Sequence, residues 1–220
     1  MIQEEGRPMA TPEWGVFTNP TPGSENQNPY PGYTSIPEFS IDAGFYSGQV
    51  EVSLSTEEND VTIYYTTNGN WPDDNDQLYA QIDSEGNVVA GGENIICSET
   101  TIIRAIAYDQ SGSQQLPSFT ESNTYFIDSP HTTYVISIAG NQVDNLLNGN
   151  QIKPIGSFEI FDIDGDLIDE AVGEFNEHGN DSWAYAQRGF DYITRDQHGY
   201  NYAIKNQLFR EKDREEYQRL

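Results

Sequence analysis

Residues Val61-Thr62-Ile63-Tyr64-Tyr65-Thr66-Thr67 are β-branched or aromatic at every position and run directly into Asn68-Gly69. Branching at Cβ favours the pleated, extended backbone, and Asn-Gly tolerates the left-handed conformation of a tight turn. A strand ending in a turn follows. Val50-Glu51-Val52-Ser53-Leu54 alternates at period two, and the polar link Glu57-Glu58-Asn59-Asp60 predicts a hairpin between the two strands. Thr101–Tyr108 and Thr120–Ile127 read as two further strands around the loop Ser111-Gly112-Ser113. Without a helix signal between residues 36 and 128, such short strands with polar turns predict a small β-sandwich.

The flanks differ from this block. Residues 1–35 carry Pro8, Pro12, Pro20, Pro22, Pro29 and Pro31 with little apolar periodicity, as a linker or the end of an earlier domain would. Residues 130–220 read as a second unit, with strands at Thr133–Ile138 and Ser157–Asp162 and a short helical turn within Asn141–Leu147. The last segment, from residue 210, reads as a helix in search of a partner surface. Its pairs Arg210-Arg214 and Glu211-Glu215 repel, Lys212-Glu216 attracts, and only Phe209, Tyr217 and Leu220 are apolar. On this reading residues 36–127 bury their own core and residues 130–220 hold the opening strands of a larger fold.

Charge narrows the range of partners. The 220 residues carry 10 Lys+Arg against 36 Asp+Glu, a formal net charge of -26, which repels nucleic-acid phosphates and anionic lipid. The 12% aromatic content, with 14 tyrosines, argues against disorder. No run approaches the roughly 18 apolar residues of a membrane span, so neither nucleic acid nor membrane insertion is expected. Met1-Ile2-Gln3-Glu4-Glu5 leads into Gly6 and not into an apolar stretch, so an export signal, if the protein is secreted, is expected upstream.

Metal and redox chemistry find little support. Cys97 is the single cysteine and lies in an apolar run, where a buried, inert thiol is the default. His131, His178 and His198 lack the spacing of a zinc site, although His178 and His198 could approach across paired strands, with any His-Asp contact structural. The carboxylates of Asp162-Ile163-Asp164-Gly165-Asp166 suggest calcium. An EF-hand, however, needs Gly sixth and Glu twelfth, and those places hold Leu167 and Gly173. A hairpin turn at Asp164-Gly165, with Asp162 and Asp166 facing water, accounts for the same residues.

Three stretches resemble known families. Pro37-Glu38-Phe39-Ser40, Gly44-Phe45-Tyr46-Ser47-Gly48, Val52–Ser55, Ile63–Gly69 and Thr101–Ala107 resemble, in order and spacing, the chitobiase/β-hexosaminidase C-terminal domain. Asn68 stands where Asp is commoner in that family's turn. The resemblance implies an immunoglobulin-like spacer or binding module without glycosidase chemistry. Tyr64, Tyr65 and Trp71 would be its carbohydrate-stacking residues, although strand packing explains aromatics there as well. Gly6-Arg7-Pro8 and Trp14–Asn26 resemble the closing strand of a lamin-tail domain.

His178-Gly179-Asn180-Asp181-Ser182, His198-Gly199-Tyr200 and the segment from Leu208 resemble the amino-terminal part of CotH-type proteins, the spore-coat atypical kinase family. The resemblance implies that Gly179, Asn180 and Ser182 cover the phosphates of ATP, with magnesium, in a full-length parent. Arg188 is the nearest cation where many members place lysine, and arginine is not equivalent to lysine in a nucleotide site. It further implies that the family's catalytic carboxylates lie beyond residue 220, so that no catalytic residue falls in this chain.

The reading is thus mainly β: an Ig-like β-sandwich at 36–129 followed by a partial α+β CotH-like domain at 130–220, after a linker or lamin-tail remnant at 1–35. The expected function is a secreted or cell-surface spacer and binding module, joined to further domains of the same polypeptide and able to meet carbohydrate. The alternative is the amino-terminal part of an active CotH-type kinase. No metal is expected, and no cofactor for this chain alone.

Overall fold

The computed structural model describes residues 16–17, 22–23, 29–179, 184, 188–209 and 211–220. Ten strands come first: β1 (Glu38–Phe39), β2 (Gly44–Tyr46), β3 (Val50–Val52), β4 (Leu54–Ser55), β5 (Val61–Thr66), β6 (Gln77–Ile82), β7 (Val88–Gly91), β8 (Ile95–Cys97), β9 (Thr101–Asp109) and β10 (Glu121–Ile127). Six form one sheet in the order β2-β10-β9-β5-β6-β7, and the ribbons β1-β4 and β3-β8 supply the facing layer. Alternation explains the core: Ile103, Ala105 and Ala107 of β9 point inward with Val61 and Ile63 of β5, and meet Val52, Leu54 and Cys97 from the ribbons.

The expected hairpin through residues 57–60 does not form, because β3 pairs with β8 and β4 with β1, whereas β5 pairs with β6 and β9. Val52 and Leu54 contribute to the same core as Val61 and Ile63. The link therefore crosses between layers, and its flanking strands face each other across the core. Cys97 is buried, as expected, and burial raises its thiol pKa. A bulge opposite Ile63 and Tyr64 turns both Tyr79 and Ala80 inward. Gly91 is required beside it, since at φ +70° an added Cβ would lie 2.1 Å from the Tyr79 carbonyl oxygen.

The second unit is an antiparallel meander, β11 (Val135–Ala139), β12 (Ile155–Phe161), β13 (Leu167–Glu177) and β14 (Phe190–Thr194), with the short helix α1 (Val143–Leu147) between its first two strands. The β12–β13 turn lies where Asp164-Gly165 predicts it. Asp162 does more than face water there, because its Oδ1 accepts the backbone N–H of Asp164 (2.8 Å) and of Asp166 (3.1 Å). This half buries a core of its own, including Leu146, Phe158, Phe175, Tyr192 and Ile204. An apolar groove of about 400 Å³ stays open beside Tyr134, Ile136, Phe158 and Phe209.

The helix expected from residue 210 is absent over residues 211–220. Residues 218–220 run antiparallel along β14, with Tyr192 N–H donating to Leu220 O (3.0 Å) and Leu220 N–H to Tyr192 O (2.9 Å), and Tyr217 pairs with Ile204. Like-charge pairs weaken a helix here. The unpaired edge of β14 instead offers backbone partners, and Tyr217 is buried at 3% exposure.

Candidate functional site

The period-two pattern that fills the two cores also decides what lies between the units. With Ile103 and Ala105 turned inward, Arg104 leaves the opposite face of β9, and Ser122 and Thr124 do the same on β10. On β12, Phe158 and Ile160 enter the second core, leaving Ser157, Glu159 and Phe161 to face the first unit. These two faces meet.

Arg104 is fully buried, with Nε donating to Ser122 Oγ (2.9 Å) and Nη1 to Gly69 O (3.0 Å). Its guanidinium carbon lies 3.9 Å from the centroid of the Trp71 ring. Trp71 ties down the other side: its backbone N–H donates to Asn141 Oδ1 (2.6 Å) and its indole N–H to Ile155 O (3.2 Å). The Asn68-Gly69 turn makes this approach possible. Asn68 Oδ1 accepts the Asn70 N–H at 3.0 Å, and Gly69, at φ +77°, leaves room for Ala139. Desolvation lowers the Arg104 pKa to about 10, opposed by Glu159, so the guanidinium stays charged at neutral pH.

Glu159, 1% exposed, receives the Thr124 backbone N–H (3.0 Å) and the Thr124 hydroxyl, beside a 2.7 Å contact from Thr124 Oγ1 to Ser137 Oγ. Burial raises its pKa to about 7, against the pull of those hydrogen bonds and Arg104. Glu121 of β10 and Glu170 of β13 approach each other across the junction and line the same spaces. Desolvation raises both, Glu121 to about 8, each carboxyl also feeling a neighbouring negative group. The pair separates a cavity of about 210 Å³ from a wider groove of about 660 Å³, and both residues line both spaces. At the far end of the junction, Phe45 stacks on Phe126 (4.3 Å) and on His131 (3.8 Å), with Phe161 edge-on to Phe126 at 5.3 Å.

The family model of the chitobiase/beta-hexosaminidase C-terminal domain matches residues 41–125. That span holds most of the sandwich and covers less than half of the chain, ending short of the CotH-like segments. No curated protein and no solved structure matches the chain.

Within the chitobiase C-terminal-like module, the three candidate sugar-stacking residues part company. Tyr65 packs against the sandwich core, edge-on to Tyr79 at 6.2 Å, and Trp71 has one ring face under Arg104. Tyr64 lies on the opposite face of β5, edge-on to Tyr108 at 5.8 Å and close to the exposed Leu78. Asp73, Asp74 and Asp76 lie near enough to help raise the Tyr108 phenol, after desolvation.

Of the nucleotide candidates, Asn180 and Ser182 lie outside the described residues, as does most of the lamin-tail-like segment. Gly179 is exposed at φ +68°. Arg188 donates to Leu147 O at the carboxyl end of α1, where a cation is favoured. His178 does not reach His198, and its Nδ1 contacts Asp191 Oδ1 at 2.7 Å, a carboxylate that also receives Arg219. Among the described residues no group of three or more His, Cys, Asp or Glu side chains is placed to hold a metal ion, and no helix is long and apolar enough to cross a membrane.

The residues missed by sequence reasoning are those of the junction: Arg104, Glu121, Ser157, Glu159 and Glu170. A signal was present. Arg104 sits mid-strand between Ile102 and Ile106 on its face of β9, and Glu159 is the one charge of β12, beside Phe161; these are not the neighbours of a solvated surface.

Proposed function

We propose that the chain is a stiff, non-catalytic connecting piece of a secreted or cell-surface multidomain protein, with residues 36–129 a spacer and binding module set against the sheet of residues 130–220. The observation that carries this reading is the set of hydrogen bonds across the junction, from Trp71 to Asn141 and Ile155 and from Thr124 to Glu159, which hold two separate cores in one register. Spin labels at Glu85→Cys and Asp196→Cys, both exposed turn positions, test it by electron–electron distance measurement. A single narrow distance distribution is expected, and a broad or bimodal one sinks the reading.

The paired Tyr64 and Tyr108, with Leu78 and the nearby Asp73–Asp76 loop, favour a second reading. Aromatic surface beside carboxylates suits carbohydrate, the rings covering apolar sugar faces and the carboxylates accepting hydroxyl hydrogens. A glycan array with the whole chain should give hits that Tyr64→Ala and Tyr108→Ala abolish. A blank array leaves the module a spacer.

A further inference from the structure

The cavity of about 210 Å³ at the junction combines features that packing alone does not require. Its walls include Glu121 and Ser122 of β10, Ser157 of β12 and Glu170 of β13, with Phe119 and Tyr200 in edge-to-face contact at 4.7 Å on one side. Ser157 is only 4% exposed, faces the first unit and lines this cavity, yet its Oγ has no hydrogen-bond partner among the described residues. A buried hydroxyl without a partner is uncommon, since such groups are nearly always satisfied. Space well beyond one water's share of about 30 Å³ adjoins it.

Two carboxyls, of Glu121 and Glu170, therefore line one space with the unpartnered Ser157 Oγ, among the further oxygen-bearing side chains of Thr120, Ser122, Tyr200 and Asn201. The charge around them is one-sided. Glu38, Asp42 and Asp166 line the adjoining groove, Glu159 lies behind Glu121, and Asp169 and the Tyr200 phenol complete the titratable groups near the pair. Arg104 is the buried cation on this side, its Nε and Nη1 held by Ser122 and Gly69 and its plane over Trp71, with Nη2 without a hydrogen-bond partner among the described residues. An anion would be repelled. A divalent ion lacks a third carboxylate or imidazole placed to hold it.

We propose that this cavity binds a primary alkylammonium group, from a free amine or a lysine side chain, with its three N–H donors directed to Glu121, Glu170 and Ser157 Oγ and its methylenes against Phe119 and Tyr200. The two carboxylates and the Ser157 hydroxyl can accept all three N–H donors, and aromatic walls favour a cation over a neutral polyol. An ammonium beside the two carboxyls favours their ionised form. Binding therefore releases any proton they carry, and affinity rises from pH 6 to pH 8.5, a range over which an alkylamine stays charged.

Isothermal calorimetry on the whole chain tests this, with cadaverine and Nα-acetyl-lysine methylamide as separate probes. Saturable binding is expected, with an enthalpy that differs between phosphate and Tris buffers and so reports proton release. The two probes separate a free-amine ligand from a lysine side chain. Glu170→Gln should weaken binding by about tenfold or more, and Ser157→Ala by less. If Glu170→Gln does not fold, Glu121→Gln and Ser157→Ala carry the same test. No saturable binding of either probe overturns the proposal. So does binding that the variants leave unchanged, which is attraction to the acidic surface, or binding of calcium or magnesium at these carboxyls without the amine.

Discussion

At one end of the junction four rings meet, Phe45, Phe126, Phe161 and His131, whereas at the other Arg104 and Glu159 are buried beside the half-buried Glu121 and Glu170. The three phenyl rings of the aromatic end carry no titratable group, so their mutual attraction depends little on pH. The charged end supplies little net attraction, because desolvation consumes most of the Coulombic gain, but its directional hydrogen bonds, such as those of Thr124 to Glu159, fit one register. Adhesion and alignment are thus carried by different side chains within one interface.

The largest expected effect comes from the aromatic end. Phe161→Ala removes a fully buried ring and should cost about 3–5 kcal/mol in urea unfolding, equally at pH 5 and pH 8.5. A strong pH dependence of that loss would break the comparison. Arg104→Met, at the charged end, should cost about 3 kcal/mol at pH 8.5, where Glu159 is left ionised and uncompensated. At pH 5 the cost should fall by more than half, since Glu159 is then protonated, and an equal cost at both values would show that Arg104 acts by packing alone.

Smaller again is the titration of the unmodified chain. Glu121 and Glu159 hold protons to about pH 8 and about pH 7 in the folded chain, above the ordinary 4.5. The folded state thus binds protons that the unfolded chain has released. Stability from this source is full below about pH 4.5 and is lost as pH rises through 7 and 8. Melting temperature should therefore fall between pH 5 and pH 8.5, and Glu121→Gln should reduce the fall by the equivalent of about 1–2 kcal/mol. A melting temperature that rises over this interval reverses the sign and sinks the account. Tyr64→Ala lies outside both ends and should change stability by under about 0.5 kcal/mol. A larger loss would mean that Tyr64 is part of the packing and not of a free surface.

The strands whose pattern shows in the sequence are those with one consistently apolar face. Val61–Thr66, Thr101–Asp109 and Glu121–Ile127 fall where β-branching and alternation predict them, as do the turns at Asn68-Gly69 and Asp164-Gly165. β6 and β7 escape notice because Gln77-Leu78-Tyr79-Ala80-Gln81-Ile82 carries the bulge that turns two adjacent residues inward, which destroys the period. The carboxyl-terminal stretch misleads for a different reason. Dense alternating charge resembles a solvated helix, and only the edge of β14, distant in sequence, makes an extended path for residues 218–220 the better one. The junction was harder still, since a lone buried charge identifies a partner's existence but not its position, and Arg104 and Glu159 lie 55 residues apart by their numbers.

One pairing bears on how the first unit would respond to tension. β2, near the beginning of the sandwich, runs parallel to β10 at its end, in the register Gly44–Tyr125, Phe45–Phe126 and Ile127–Tyr46. The ladder is lengthened by Asp128 N–H donating to Tyr46 O and Gly48 N–H to Asp128 Oδ1, each at 2.9 Å. A pull on the chain before β2 and after β10 acts at opposite ends of this ladder. Every rung is then loaded at once in shear, so the strands must slide before they can peel, and the sandwich behaves as a mechanical clamp.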